Sequence, residues 1–418
     1  MRFRLNGFNP QNLANTAWAF ATLGRADLEL LNAISAEAVH RGLVGFNEQN
    51  LSNTVWACAT ARYASPELFN AISAEVVRRG LGGFNEQALS NTAWAFATAG
   101  HASPELFNCI SAEAVRRGLD GFKEQELSNT AWAFATAGHA SPELFDAISA
   151  EAVRRRLSGF NDQHLSNTAW AFATACHASH ELFDAISAEA VRRRLGGFNP
   201  QDLSITAWAF ATAGHPAPEL FAAIAVEAMR RRLVGFNEQD LSTMAWAFAV
   251  SDPPSADELF GTTIFTTRCA LLEASFSPLD LSQLHQWSLW REERLALWPG
   301  LPESLRQACR DAFGEADAQP SQLQSDVVRE IRSRGVNVEE EYRCKVSGYS
   351  IDALVTLNDG KRVAVEVDGP FHFVGHSHQP NGATRLKHRQ LRHFGWRLES
   401  VPYWEWDRSK ELHWLARP

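Results

Sequence analysis

The sequence predicts a mainly α protein: an α-solenoid of about seven helical hairpins, followed by a small α/β domain. Three observations carry that expectation. Tryptophan recurs every 38 residues, at Trp18, Trp56, Trp94, Trp132, Trp170, Trp208 and Trp246, and a Gly-Phe pair keeps the same period from Gly7-Phe8 to Gly235-Phe236. Within each period, two apolar stripes at helical spacing are separated by cap and breaker residues. Beyond about residue 322 the period is lost and short strand-like runs replace it. A fixed period of this size means stacked units, none of which buries its apolar face alone.

The copy from Gly45 to Gly82 shows how one unit folds. Asn47 suits an N-cap, and the next position, Glu48 here, is Pro10 or Pro200 in two other copies, as a first helical residue allows. Helix A is expected over about 48–61, with Leu51, Val55, Trp56 and Ala59 on one side and Asn50, Asn53 and Thr54 on another. Ser65-Pro66-Glu67 opens helix B, whose apolar stripe is Leu68, Phe69, Ile72 and Val76. Arg78 and Arg79 fill its last turn, and Gly80 to Gly83 end it. The many alanines beside each tryptophan permit close helix approach, so all seven repeat tryptophans are expected to fill the core between layers.

At 418 residues the chain exceeds one compact domain. Its formal net charge of −9 argues against an indiscriminate polyanion binder, although a local basic stripe on an acidic protein still meets phosphates. No apolar run approaches the roughly 20 residues that span a bilayer, so no membrane partner is expected. The six cysteines (Cys58, Cys109, Cys176, Cys269, Cys309, Cys344) include no C-x-x-C pair, and Cys58 stands where other copies carry Phe. A reduced compartment, no structural zinc and no cofactor is the reading. Neither a signal peptide nor an Arg/Ser-rich transit segment precedes Arg4-Leu5-Asn6-Gly7-Phe8, so the first residue is read as an internal start or a truncation.

Near-identical copies make their differences legible. One helix-A position changes almost every time: Asn12, Asn50, Ala88, Glu126, His164, Asp202, Asp240. Three residues on stand Asn15, Asn53, Asn91, Asn129 and Asn167, then Ile205 and Thr243. This spacing puts both positions on one helix face. A polar ladder with one changeable rung per unit is the geometry by which helical repeats read splayed bases of single-stranded RNA. The seven changeable residues are therefore candidate base readers, with Asn53, Asn91, Asn129 and Asn167 in support. The alternative is an exposed position free to drift. A second register lies at the end of helix B: Arg78-Arg79, Arg116-Arg117, Arg154 to Arg156, Arg192 to Arg194 and Arg230 to Arg232. Stacked, these would form a basic edge in which Arg79, Arg117, Arg155, Arg193 and Arg231 contact phosphates. Alternatively, they satisfy the helix dipole and pair with Glu75 or Glu151 one turn back.

Period, hairpin pattern and the Trp-Ala-Phe-Ala core together resemble the octotricopeptide repeat family of organellar RNA-binding proteins, over about residues 4–250. From Ser251-Asp252-Pro253-Pro254 the pattern decays into an altered unit (Phe276 to Leu281, then Trp287), expected to cap the array, with Gly314 to Ser325 as a polar linker. The expected domains are thus 1–250, 251–322 and 323–418.

In the last of these, Val327 to Ser333 reads as a helix, and Glu341 to Val346, Ser350 to Leu357 and Arg362 to Val367 as strands, with Asn358-Asp359-Gly360 as a hairpin turn. A basic helix, Thr384 to Phe394, and a strand, Arg397 to Val401, precede a Trp-rich tail. The run Glu366-Val367-Asp368-Gly369-Pro370-x-His372-Phe373, then Lys387, Gly395-Trp396 and Pro402-Tyr403-x-x-Trp406, resembles the RAP domain over about residues 323–416. RAP domains are implicated in RNA binding and accompany octotricopeptide-like and FAST kinase-like repeats in organellar proteins.

The resemblance implies a restriction-endonuclease-like fold of the PD-(D/E)xK type, where two carboxylates hold a divalent metal. Asp352 and Glu366 occupy the matching places; the third position is Asp368 rather than Lys, leaving Lys387 as the candidate replacement. Asp352, Glu366 and Asp368 would hold Mg or Mn as hard oxygen ligands. His372, His376 and His378, clustered nearby, read as a solvated loop.

The combination implies a modular protein whose repeats bind single-stranded organellar RNA (mRNA or rRNA) of the mitochondrion, or alternatively the chloroplast. The RAP unit would then engage adjacent backbone or recruit RNA-processing proteins. Two other readings stay open: a metal-dependent RNA endonuclease acting through Asp352, Glu366, Asp368 and Lys387, and a protein–protein scaffold.

Overall fold

The computed structural model describes residues 5–25, 27–177, 179–315, 320–357, 359–375 and 377–409, with the backbone alone for 407–409. Two compact units divide at Glu189 and Ala190, inside a repeat rather than at the expected limits.

The first unit stacks hairpins. Its A helices are α1 (Pro10–Thr22), α3 (Glu48–Thr60), α5 (Glu86–Thr98), α7 (Glu124–Thr136) and α9 (Asp162–Thr174), and its B helices are α2 (Leu28–His40), α4 (Pro66–Arg79), α6 (Pro104–Arg117), α8 (Pro142–Arg154) and most of α10 (His180–Arg192). The expected caps act where they were placed: the Asn47 side chain accepts the Asn50 N–H, and Ser65 accepts that of Leu68. Gly80 ends α4 at φ +74°; where the copy has Arg156-Leu157 instead, both take left-handed backbone, at φ +51° and +54°. Serine binds neighbouring A helices, Ser52 Oγ donating to the Ala88 carbonyl (3.2 Å) and Ser90 Oγ to that of Glu126 (3.2 Å). Between hairpins, phenylalanines meet edge to face, as Phe107 and Phe134 do at 5.0 Å. Cys58 is fully buried in the phenylalanine place, and all six cysteines are free thiols.

The second unit continues with α11 (Pro200–Thr212), α12 (Pro218–Arg230), α13 (Glu238–Ser251), the short α14 (Ala256–Phe260) and α15 (Ile264–Leu271), α16 (Pro278–Glu293) and α17 (Glu303–Glu315). The altered unit is an eighth A helix: Ser277 caps α16 with Asp280 three residues in, and Trp287 and Trp290 are buried. The expected linker from Gly314 to Ser325 is shorter than its composition suggested, because α17 runs to Glu315 and Ser321 caps α18 (Gln322–Ser333).

There follow β1 (Asn337–Arg343), β2 (Ser350–Thr356), β3 (Arg362–Asp368), α19 (Gly382–His393), β4 (Arg397–Pro402) and α20 (Tyr403–Ser409). The sheet order is β1-β2-β3-β4, with two antiparallel pairs and then a parallel β3–β4 pair joined through α19. β1 lies nearer the N-terminus than expected, since Cys344 to Gly348 closes into a turn (Gly348 N–H to Cys344 carbonyl, 2.8 Å). Asn358 of the expected hairpin turn lies outside the described residues. One sheet face buries Val327, Val328 and Ile331 of α18 against Val355, Val363 and Val365; the other buries Ile351, Ala364 and Leu391 against Leu289 of α16.

α19 is thereby clamped to the last A helices. Arg389 donates to the Ala249 (2.5 Å) and Val250 (3.1 Å) carbonyls at the end of α13 and pairs with Glu293 of α16 (2.7 Å). Gln390 reaches the Gln286 carbonyl (2.9 Å). Gly382 approaches α11 so closely that a Cβ there would lie 2.2 Å from the Ala211 carbonyl.

Candidate nucleic-acid interface

On each A helix one line of side chains faces outward: in α3, Gln49, Asn53, Trp56 and Thr60, spaced by a helical turn. Contrary to expectation, the tryptophans do not fill the core but lie along this face. Trp18 is 45% exposed, Trp56, Trp94, Trp132, Trp170 and Trp208 are half-buried, and Trp246 alone of the seven is buried. Val55, Cys58 and Ala59 already fill the layer interior of α3, leaving Trp56 to lie across its edge. From Trp18 to Trp170 each indole leans on the next, with centroids 6.5, 6.4, 6.3 and 6.2 Å apart. One turn before, the half-buried amides of Asn53, Asn91, Asn129 and Asn167 form a parallel row. Neither these amides nor the indole N–H groups beside them have a hydrogen-bond partner among the described residues.

The changeable rung differs from its expected role. Asn12 (3.2 Å) and Asn50 (3.3 Å) fold back to accept the N–H of their own N-caps, Asn9 and Asn47. Glu126 (2.8 Å), His164 (3.3 Å), Asp202 (2.9 Å) and Asp240 (3.0 Å) do the same to Lys123, Asn161, Asn199 and Asn237. Asn50, Ala88, Glu126, Asp202 and Asp240 are buried. What varies is which acceptor closes a capping box, and Ala88 merely lacks one. An acceptor three residues after each N-cap is the signal that would have shown this in the sequence.

The inner arginines are also structural. Arg79 donates to the Phe46 carbonyl (2.5 Å) in the loop that leads into its own hairpin and to Glu75 of its own helix (2.5 Å). Arg117 reaches Phe84 (2.5 Å) and Leu81 (2.7 Å), Arg155 reaches Phe122 (2.8 Å) and Leu119 (3.0 Å), and Arg231 reaches Leu195 (3.5 Å). Arg193 occupies the equivalent half-buried place. In Arg79, Arg117, Arg155 and Arg231 the planar guanidinium fork is thus engaged by carbonyls and a carboxylate, an arrangement that clamps the repeat. The outer Arg78, Arg116, Arg154 and Arg230 are exposed but share the same glutamates. Hydrogen bonds from the outer arginine first, and from the inner one, hold Glu75, Glu113, Glu151 and Glu227 down at about 2.

In the sheet, Glu366 and Asp368 share one face of β3, both 1% exposed. Lys387 Nζ sits 2.5 Å from Glu366, and Asp352 accepts the Val367 N–H (2.7 Å). Asp368 receives His372 Nδ1 (2.8 Å) on one oxygen and the Ser400 hydroxyl on the other. Burial raises the Glu366 and Asp352 carboxyls, with Lys387 opposing. For Asp368 burial pulls upward, but the His372 bond, the His388 charge and the Ser400 bond together hold it below its ordinary value.

Most oxygens of this donor set are already engaged, although Glu366 Oε1 is buried without a hydrogen-bond partner among the described residues. The Lys387 ammonium lies against Glu366, and both Asp368 oxygens are occupied. Among the described residues, no three His, Cys, Asp or Glu side chains gather as a metal-holding group. Asp352, Glu366, Asp368 and Lys387 are brought together as expected, in a buried polar cluster crossed by the Lys387–Glu366 ion pair. His378 stacks on Trp404 (4.0 Å), and His376 lies outside the described residues.

Comparison with known families agrees with this architecture. The family described as RNA-editing substrate-binding complex 6 protein matches residues 17–260, the RAP domain matches 365–414, and a protein of unknown function (DUF1601) matches 5–16. A RAP domain-containing protein, chloroplastic, from Oryza sativa subsp. japonica is 33% identical over 101 residues, 23% of this chain and 15% of that protein. The chain therefore spans a small part of that relative's length.

Proposed function

The chain belongs to the family described as RNA-editing substrate-binding complex 6 protein, and from that premise we propose that it is an RNA-binding protein of RNA processing. Its ligand in this reading is unpaired organellar RNA, held along the outward face of the A helices. The row of unpartnered asparagine amides beside half-exposed indoles carries the proposal. Unpaired bases stack on aromatic rings and hydrogen-bond to amides, whereas a duplex hides both surfaces. The complex named in the family description supports protein partners as well. The printed name of the rice relative supports an organelle, with chloroplast and mitochondrion both in view.

The test is the affinity of the full chain for a mixed-sequence single-stranded RNA, against Trp94→Ala/Trp132→Ala. Stacking is worth about 1–3 kcal/mol per base, so a loss of at least about tenfold is expected. An unchanged affinity in a folded double variant would remove the proposal.

A further inference from the structure

Within the second unit, a cavity of about 260 Å³ opens between the loop after α11 and the loop after α13. Its apolar wall includes Phe210, Pro216, Phe221 and Pro253, and the Arg385 side chain of α19 reaches its lining. The first unit has a smaller counterpart of about 180 Å³ between the loops at Gly100 and Ala137, lined by His139. That histidine is already bonded to Asn108 (2.9 Å). In the second unit the matching position is Pro253, and the polar group comes instead from outside the repeats.

Arg385 is aimed there by two glycines. Gly382 lets α19 lie against Ala211, and one turn later the guanidinium crosses Gly214, where a Cβ would lie 2.7 Å from Nη1. It donates a single hydrogen bond, to the Gly214 carbonyl (3.2 Å), and no carboxylate lies within ion-pair distance among the described residues. Its neighbours differ: Arg389 has Glu293, and Lys387 has Glu366. Burial first, and the Arg389 charge second, lower its pKa, which marks a cation lacking its counter-charge. The carboxylate lining the cavity, Asp252, is committed to Trp290 Nε1 (2.9 Å) and Arg294 (2.7 Å). An exposed guanidinium with free donors, beside an apolar hollow near the lower size of small-ligand pockets, is suited to an anion that carries a flat apolar body.

We propose that Arg385 and the cavity between residues 214–218 and 251–254 form a binding site for a nucleotide phosphate. The guanidinium takes the phosphate and the Phe210–Pro216–Phe221–Pro253 wall receives the base. The choice of a nucleotide rests on the RNA-binding reading; the vacant guanidinium does not. The phosphate can belong to a free mononucleotide, a strand end or an internal linkage, all of which share this chemistry.

Calorimetry on the full chain with uridine 5′-monophosphate and with uridine tests the site. The monophosphate is expected to bind at least tenfold more tightly than the nucleoside, Arg385→Gln to abolish that preference, and Arg385→Lys to retain part of it. Because Arg385 makes one exposed bond to the repeats, the unfolding midpoint of Arg385→Gln should stay near that of the parent. Equal binding of both probes, or undiminished monophosphate binding by Arg385→Gln, would overturn the proposal. Paired 10-mer RNAs with and without a 5′-phosphate identify the source. Preference for the phosphorylated strand assigns an end, equal loss of both in Arg385→Gln assigns an internal linkage, and loss of the mononucleotide alone assigns a free ligand. Trp94→Ala/Trp132→Ala should leave monophosphate binding intact, so failure of the A-helix reading is distinguishable from failure of this site.

Discussion

The A-helix face and the helix-B edge of the first unit carry polar groups in equally strict register, yet they differ in what those groups touch. Along the edge, inner arginines such as Arg79 and Arg117 are closed by a glutamate and by carbonyls of the loop that joins their hairpin to the one before. Along the face, the amides of Asn53, Asn91, Asn129 and Asn167 and the indole N–H groups beside them meet no hydrogen-bond partner among the described residues. Both are periodic because both belong to the repeat. Periodicity therefore shows only that a residue is built into every unit; whether its hydrogen-bonding capacity is filled decides between holding the stack and meeting a ligand. Asp368 of the sheet cluster falls with the edge, since His372 and Ser400 fill both its oxygens from within, whereas Lys387 engages only one oxygen of Glu366.

Removing a filled group should cost stability and spare RNA. Arg117→Ala strips the Phe84 carbonyl of its donor, leaves the Leu81 carbonyl with the Phe84 N–H alone, and leaves Glu113 half-compensated. A loss of about 2–4 kcal/mol is expected in denaturant unfolding, with no change in RNA affinity or its salt slope. Arg116→Ala, whose side chain is 66% exposed, should lose under about 1 kcal/mol. If instead Arg117→Ala flattened the salt dependence of RNA binding by about 0.7 in log–log slope, the edge would be a phosphate track after all. The Trp94→Ala/Trp132→Ala pair gives the opposite profile, with RNA affinity as the larger effect.

A buried group of the sheet cluster adds a pH signature. Burial lowers the His388 imidazole to about 4, against a usual value near 6.5. A histidine depressed in the folded state contributes fully above its unfolded pKa, and that contribution falls away as pH drops toward 4. Up to about 3 kcal/mol of stability should disappear between pH 6.5 and 4, and His388→Gln should remove that part of the slope. Parallel pH profiles for the two proteins would show that His388 is not buried in this manner.

Much of the fold was legible because period, caps and breakers are local: α3 and α4 begin and end within a residue of their expected limits. The site was less so. Trp56 lies beside Ala59 on a helical wheel, one turn apart, and only the packing of neighbouring A helices decides which of them is enclosed. Arg79 and its i,i+4 glutamate were visible as an alternative, but its bond to Phe46 spans 33 residues and exists only once the two helices of the hairpin close on each other. The four residues of the nuclease-like cluster were found by motif; the closure of Asp368 by His372 and Ser400 depends on β3 and β4 lying side by side.

The smallest effect separates the changeable rung from its neighbour one turn along. Glu126 closes the capping box of α7 through the Lys123 N–H (2.8 Å), while α5 has Ala88 at that place. Glu126→Ala should therefore cost about 0.5–2 kcal/mol, and Ala88→Asn, copying Asn50 of α3, should regain a few tenths to about 1. Neither should alter RNA affinity, since both side chains are enclosed between A helices, whereas Asn91→Ala and Asn129→Ala should weaken binding and leave stability nearly untouched. A change in base preference on replacing Glu126, at unaltered stability, would instead return the reading role to the changeable rung and take it from the asparagines.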